Sequence, residues 1–291
     1  MWKLFQIELY KIFRRPRTYI AFAAITALIV IVQLGLKSDG KEYSEFIMAD
    51  LKNSIEVEGN IVNGYFVCYV ILQLLLIHVP LLIALIAGDM ISGEANAGTL
   101  RLLLTKPVSR TKFMLAKFSA SAVYTVLLLI WIAILALFAS ILIFGTDDMF
   151  IMKTQYAVQI ENSDVFWRYC GAFCFAALAM ITVAALGFFL SQFAENSIGP
   201  IVATMSIIIV FTILSTMSLP IFSKIRPFLF TTHMVTWKEF FDIKVNDANE
   251  AIKGTVQHPE RLIRSALVLV AHIVIFISVS VALFRKKDIL S

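Results

Sequence analysis

Apolar residues in this chain fall into six long blocks separated by shorter polar stretches, and that spacing predicts most of the architecture. The blocks run over Thr18–Leu36, Val62–Ala87, Phe113–Phe144, Trp167–Leu190, Ile198–Leu219 and Ile263–Phe284. Each supplies the roughly 20 apolar residues that a hydrocarbon layer about 30 Å thick requires. None alternates in the manner of a barrel strand. A segment in lipid must also satisfy its own backbone groups, so the blocks are predicted to be transmembrane helices. The fold class is an all-α integral membrane protein, one transmembrane domain over residues 1–291.

Two polar stretches carry patterns of their own. Before the first block, Trp2, Phe5, Leu9, Ile12 and Phe13 recur at helical spacing, with Lys3, Gln6, Tyr10 and Arg14 on the other side. A basic amphipathic helix over residues 1–17 that leads into a span lies in the headgroup layer, and Pro16 separates it from the span. The charged region is too long for a signal peptide, and no small-residue cleavage site precedes Lys37, so the block reads as a retained first span. Between the fifth and sixth blocks, PIFSKIRPFLFTTHMVTWKEFF is too aromatic for a solvated loop and too short and charged for another span. A pair of short interfacial or re-entrant helices within 220–262 is the expectation.

Composition sharpens the class and charge sets the orientation. The chain is 59% hydrophobic and 15% charged, whereas a soluble domain is about 45–50% apolar with about 25% charged residues. Residues 1–17 hold Lys3, Lys11, Arg14, Arg15 and Arg17 against Glu8, and the polar segment after the second block holds Arg101, Lys106, Arg110, Lys112 and Lys117 against Asp89 and Glu94. The tail adds Arg285, Lys286 and Lys287, while the 37–61 and 145–166 loops are net acidic. The positive-inside rule then places both termini and residues 88–112 in the cytoplasm of a multi-pass protein of the cell membrane. The nearly neutral 220–262 segment falls outside by the span count. Cys68, Cys170 and Cys174 lie in or beside apolar blocks, an odd set that offers no disulfide framework. Cys170 and Cys174 share a helix face, but small apolar residues in a packed helix are the expected reading.

The segment GDMISGEANAGTLRLLLTKPVSR, residues 88–110, has residue types suited to a short rod on the membrane surface. Asp89 suits the point where the second span leaves lipid. Glu94 opens a run of mostly good helix formers. Leu100, Leu103 and Leu104 form an apolar edge, and Pro107 ends the helix. Ser109 is placed to cap the third span, with Arg110 and Lys112 at the headgroups. The full pattern is D-x(4)-E-x(3)-GTL-x-x-LL-x-x-P-x-SR-x(6)-K, from Asp89 to Lys117. In this pattern the chain resembles the permease subunit of an ATP-binding-cassette (ABC) transporter of the type-2 (ABC-2) family, although Lys106 stands where small residues are usual.

That resemblance implies several further features. Residues 1–17 would be an elbow helix, and Glu94–Leu104 a coupling helix seated in a separate ATPase subunit. Asp89, Glu94, Gly98, Thr99, Leu100, Leu103, Leu104, Pro107 and Arg110 would carry the coupling, with Glu195 and Asn196 in the turn between spans four and five as a second contact. A second permease copy, identical or homologous, would complete the pathway, and export would be the direction. ATP and Mg would be bound by the partner, and this chain would hold no cofactor or metal. Membrane lipids would be its surroundings, and nucleic acid would have no part. The chain itself lacks a G-x(4)-GK-[ST] phosphate loop, an H-E-x-x-H helix and a G-x-S-x-G elbow.

Inside the spans, His78 and His272 are lone ionisable groups, expected to be neutral and hydrogen-bonded across helices. Gln73 with His78, and Gln33, are expected to act as interhelical glue. Two other function classes fit the sequence less well. A polytopic membrane enzyme would need converging ionisable residues, and only His78, His233 and His272 offer themselves. A scaffold or sensor subunit of the same architecture would bind an ATPase without moving cargo. The scarcity of charge in the spans favours an amphiphile, peptide or lipid-like cargo over a small ion.

Overall fold

A computed structural model describes residues 1–49, 61–100, 108–152, 157–217, 219–244 and 252–286. Six helices are long and apolar enough to cross a membrane: Pro16–Gly40, Gly64–Ala87, Arg110–Phe144, Asn162–Phe193, Ile198–Thr216 and Pro259–Lys286. They coincide with the six predicted blocks to within a few residues at most ends. Spans two and four form the middle of the bundle, with 50% and 56% of their apolar windows buried. Spans one, five and six, at 22%, 22% and 17%, lie around them.

The amphipathic N-terminus forms helix α1, Trp2–Arg14. Its Ile12 is buried, and Phe5 and Leu9 pack against the core, while Trp2, Ile7 and Tyr10 stay exposed. Arg15 is extended at φ −84°, and Pro16 opens helix α2, Pro16–Ala49. A proline is tolerated in a first helical turn, where its missing N–H has no partner to lose. Helix α2 runs past the apolar block into what was expected to be loop, because Lys, Glu, Met and Ala there are good helix formers. Helix α3, Gly64–Ala87, is the second span, and its N-cap Asn63 accepts a hydrogen bond from the Phe66 N–H at 3.0 Å.

The third span changes geometry along its length. It is α-helical over Arg110–Ala133, a π-helix over Ile134–Ala139, and α-helical again over Ser140–Phe144. A π turn loosens the backbone ladder, and Gln33 of span one fills the gap. Its Nε2 donates to the Leu135 carbonyl and to Ser140 Oγ, each at 2.9 Å. The expected role of Gln33 between helices is thus met.

A two-stranded antiparallel hairpin follows, β1 (Met149–Met152) and β2 (Ala157–Ile160), with Met149 opposite Ile160. The apolar blocks carried no sign of it. The described residues 220–241 form short helical pieces: helices Pro220–Ser223 and Phe230–Met234, and 3-10 helices Arg226–Phe228 and Val235–Phe241. Their aromatic side chains explain why they are not solvated. Trp237 and Phe241 are buried, with ring centroids 5.7 Å and 5.4 Å from that of Tyr69.

Candidate functional site

Four charged side chains meet where α1, the short helix α4 (Ser92–Asn96) and the start of the third span converge. Lys117 lies about 10 Å along its helix from Arg110, at 1.5 Å per residue, and its side chain is 1% exposed. Its Nζ donates to Glu8 of α1 at 2.7 Å and to Glu94 of α4 at 3.2 Å. Lys11, on the next turn of α1, donates to the same two carboxylates at 3.1 Å and 2.8 Å. Two carboxylates and two ammoniums alternate around this ring, so its net charge is zero.

The ring holds Glu94 ionised. Burial alone would raise the carboxyl pKa, but the Lys117 charge and hydrogen bonds from Lys11 and Thr99 outweigh it, bringing it to about 2. A buried charge with one partner removed typically costs about 3–5 kcal/mol. The four side chains are therefore interdependent, and they join elements 23 to 109 residues apart in sequence.

A second node lies alongside. Asp89, 2% exposed, pairs with Arg15 and, at 2.8 Å, with Arg17. It also accepts a hydrogen bond from Ser197 Oγ, just before the fifth span. Ser92 Oγ donates to the Gly88 carbonyl at 2.6 Å. Gly93 lies flush on Asp89: a Cβ there would come 2.5 Å from Oδ1. Any larger residue would push the carboxylate off its arginines. The two nodes thus join α1, the α1–α2 joint, the end of span two, α4, span three and the start of span five.

The family model described as ABC-2 family transporter protein matches residues 2–289. The chain belongs to the ABC-2 transporter family. It is a multi-pass membrane protein and a transporter permease, and such permeases in general work with an ABC ATPase subunit. No curated protein matches the chain.

The structure of the permease reorders the residues nominated from sequence. Asp89 and Glu94 are buried and point into the permease. The helix expected over Glu94–Leu104 is interrupted: α4 stops at Asn96, and Gly98 sits at φ +67°. Glycine adopts that left-handed conformation readily, and it ends the short helix. Helical geometry resumes at Thr99 and Leu100. Thr99 Oγ1 bonds back to Glu94, and Leu100 is buried. Leu103, Leu104 and Pro107 lie outside the described residues. Arg110 reaches the last turn of span six, donating to the carbonyls of Phe284 at 3.2 Å and Arg285 at 3.0 Å. Ser109 caps the third span as expected, accepting from the Lys112 N–H. What remains exposed is the tip Asn96–Gly98 and, beyond Phe193, the pair Glu195 and Asn196. Lys117, Glu8 and Lys11 were not nominated. The signal was a lysine within the apolar run FMLAKFSASA, which needs a counter-ion there.

At the opposite end of the permease a different buried pair appears. Arg168 of span four, 0% exposed, pairs with Asp164 one turn earlier at 2.5 Å. Its guanidinium also donates to the carbonyls of Phe240 at 2.6 Å and Thr255 at 2.8 Å. Asp164 in turn accepts from the Gly254 N–H at 3.0 Å. The aromatic segment is thereby fastened to span four, and His233 links it to Ser265 of span six at 2.8 Å.

The remaining polar residues differ from expectation. His78 and His272 bond within their own helices, Nδ1 donating to the Leu74 and Val268 carbonyls at 2.9 Å and 2.8 Å. An imidazole four residues after a carbonyl reaches it without a neighbouring helix. Cys68 is buried, but Cys170 and Cys174 face outward from the bundle instead of packing inside it. Among the described residues, no group of three or more His, Cys, Asp or Glu is placed to hold a metal ion.

Proposed function

We propose that the permease takes its driving force from a separate ATPase through the exposed tip Asn96–Gly98, and that the buried ring passes this force to the third span. The observation that carries this reading is Glu94, two residues from the tip, held between Lys11 and Lys117. A push on the tip cannot leave Glu94 behind without breaking a buried ion pair. The turn at Glu195 and Asn196 adds a second contact, and the exposed Phe193 (64%) and Ile198 (72%) give it apolar area. Asp89 links the two contacts, because its carboxylate bonds both the α1–α2 joint and Ser197.

In this reading both termini and the tip face the cytoplasm, consistent with the cations gathered at that end. Two permease copies, or this chain with a homologue, enclose the pathway, and closure of the ATPases switches it. Export of an amphiphile, peptide or lipid-like molecule is the expected traffic, an expectation resting on family habit and on the scarcity of charge in the spans. The test uses the permease co-expressed with its ATPase. Glu94→Ala and Gly98→Pro should leave membrane insertion intact and abolish coupled transport. Normal transport in both variants, or an external location of a tag at Ala97, would remove the mechanism.

A further inference from the structure

The joint between α1 and α2 places three guanidiniums within four residues, Arg14, Arg15 and Arg17. Among the described residues, Asp89 is the one carboxylate bonded to Arg15 and Arg17. Its third partner, the Ser197 hydroxyl, brings no charge. One anion between two cations leaves this node with net charge +1, whereas the neighbouring ring is neutral. Arg15 and Arg17 keep 35% and 42% of their side chains exposed. Arg14 is exposed and rests on the Tyr10 ring, with its central carbon 5.3 Å from the centroid. The joint therefore presents cations with capacity to spare.

What flanks these cations is apolar. Tyr10 precedes them at 60% exposure, and Tyr19 and Ile20, the first outward residues of span one, are each 61% exposed. Guanidiniums next to the exposed start of a transmembrane helix match a molecule with an anionic head and hydrocarbon tails. A guanidinium fork suits two phosphate oxygens, and tyrosine sits well at headgroup level.

We propose that the Arg14–Arg17 joint is a binding site for an anionic phospholipid, its phosphate on Arg14 and Arg17 and its chains along Tyr19 and Ile20. The lipid supplies the negative charge that the Asp89 node lacks. It thereby steadies the hinge between the N-terminal helix and the first span. The inference does not depend on the ATPase reading.

The test is native mass spectrometry of the full chain released from nanodiscs holding equal amounts of phosphatidylglycerol and phosphatidylcholine. Phosphatidylglycerol should be retained preferentially, and excess inorganic phosphate should not displace it. Arg14→Gln should weaken retention about fivefold, the effect of one basic residue at an anionic surface, and Arg14→Gln with Arg17→Gln should weaken it further. Among the described residues Arg14 has no ion pair to lose, only its contact with the Tyr10 ring, so its variant tests binding without threatening the fold. Lys286→Gln, an exposed cation on the last turn of span six, should weaken retention less than Arg14→Gln does, and an equal loss would overturn the assignment. Equal retention of the two lipids, wild-type retention by the double variant, or displacement by inorganic phosphate would each overturn the assignment.

Discussion

The two ends of the permease each bury an ion pair, and the pairs are built differently. At the end where α1 begins and span six stops, Glu8, Lys11, Glu94 and Lys117 come from three separate elements and bond one another through side chains. At the hairpin end, Asp164 and Arg168 share one helix, and the guanidinium spends its remaining donors on the backbone carbonyls of Phe240 and Thr255. Side chains on separate elements can exchange partners when those elements shift. Backbone carbonyls held by one buried guanidinium cannot. One end is tied together through side chains, and the other is also tied to the backbone.

The largest expected effect breaks either end outright. Lys117→Ala and Arg168→Ala should each destabilise the permease by about 3–5 kcal/mol, because each leaves buried partners uncompensated. Chemical unfolding in detergent would read this. Rescue then separates the two. Adding Glu8→Gln to Lys117→Ala removes a stranded carboxylate and should restore a good part of the loss. Adding Asp164→Asn to Arg168→Ala should restore little, since the carbonyls of Phe240 and Thr255 still lack donors. Equal rescue at both ends would erase the distinction.

A smaller effect serves as a control. Ser109 caps span three at one end, and Ser109→Ala should cost about 1 kcal/mol. Asn63 caps span two at the other end and also donates to the Asp148 carbonyl at 2.7 Å, so Asn63→Ala should cost more. Neither should alter coupling to the ATPase. A fall in coupled transport with Ser109→Ala would mean that any loss of stability at this end mimics a broken ring.

The pH response is the subtlest test. The Glu94 pKa is about 2 in the folded permease, below its ordinary value of 4.5. A depressed carboxyl pKa adds stability that is fully present above about 4.5 and is lost as pH falls towards about 2. The stability gap between wild type and Glu94→Gln should therefore be constant above about pH 5 and shrink in acid. A gap that varies between pH 6 and 8 would mean that a histidine or an amine controls the ring instead.

Much of the fold was legible because lipid imposes a simple rule on sequence. Apolar length placed the six spans, and Ser109 and Gln33 behaved as their chemistry suggested. The N-terminal helix followed from its spacing. The site was less legible. Asp89 and Glu94 were recognisable, but their inward orientation depends on Glu8, Lys11 and Arg15, which arrive from α1 and its joint with α2 by folding. The run from Glu94 to Leu104 reads as a continuous helix, because nothing in Ala97 and Thr99 marks the positive φ of Gly98 between them. Asp164 and Arg168 have the spacing of a helical ion pair, yet the carbonyls that make Arg168 important lie 72 and 87 residues away. The short strands beside Asp148 and Glu161 gave too few alternations to register.

Hydrogen–deuterium exchange of residues 110–125, in the permease–ATPase complex with and without ATP, reads most directly whether Glu94 carries thrust into span three. Nucleotide should change protection of this segment in the wild type, and Glu94→Gln should abolish that change while ATP still binds. The same nucleotide-dependent change in Glu94→Gln would contradict the account.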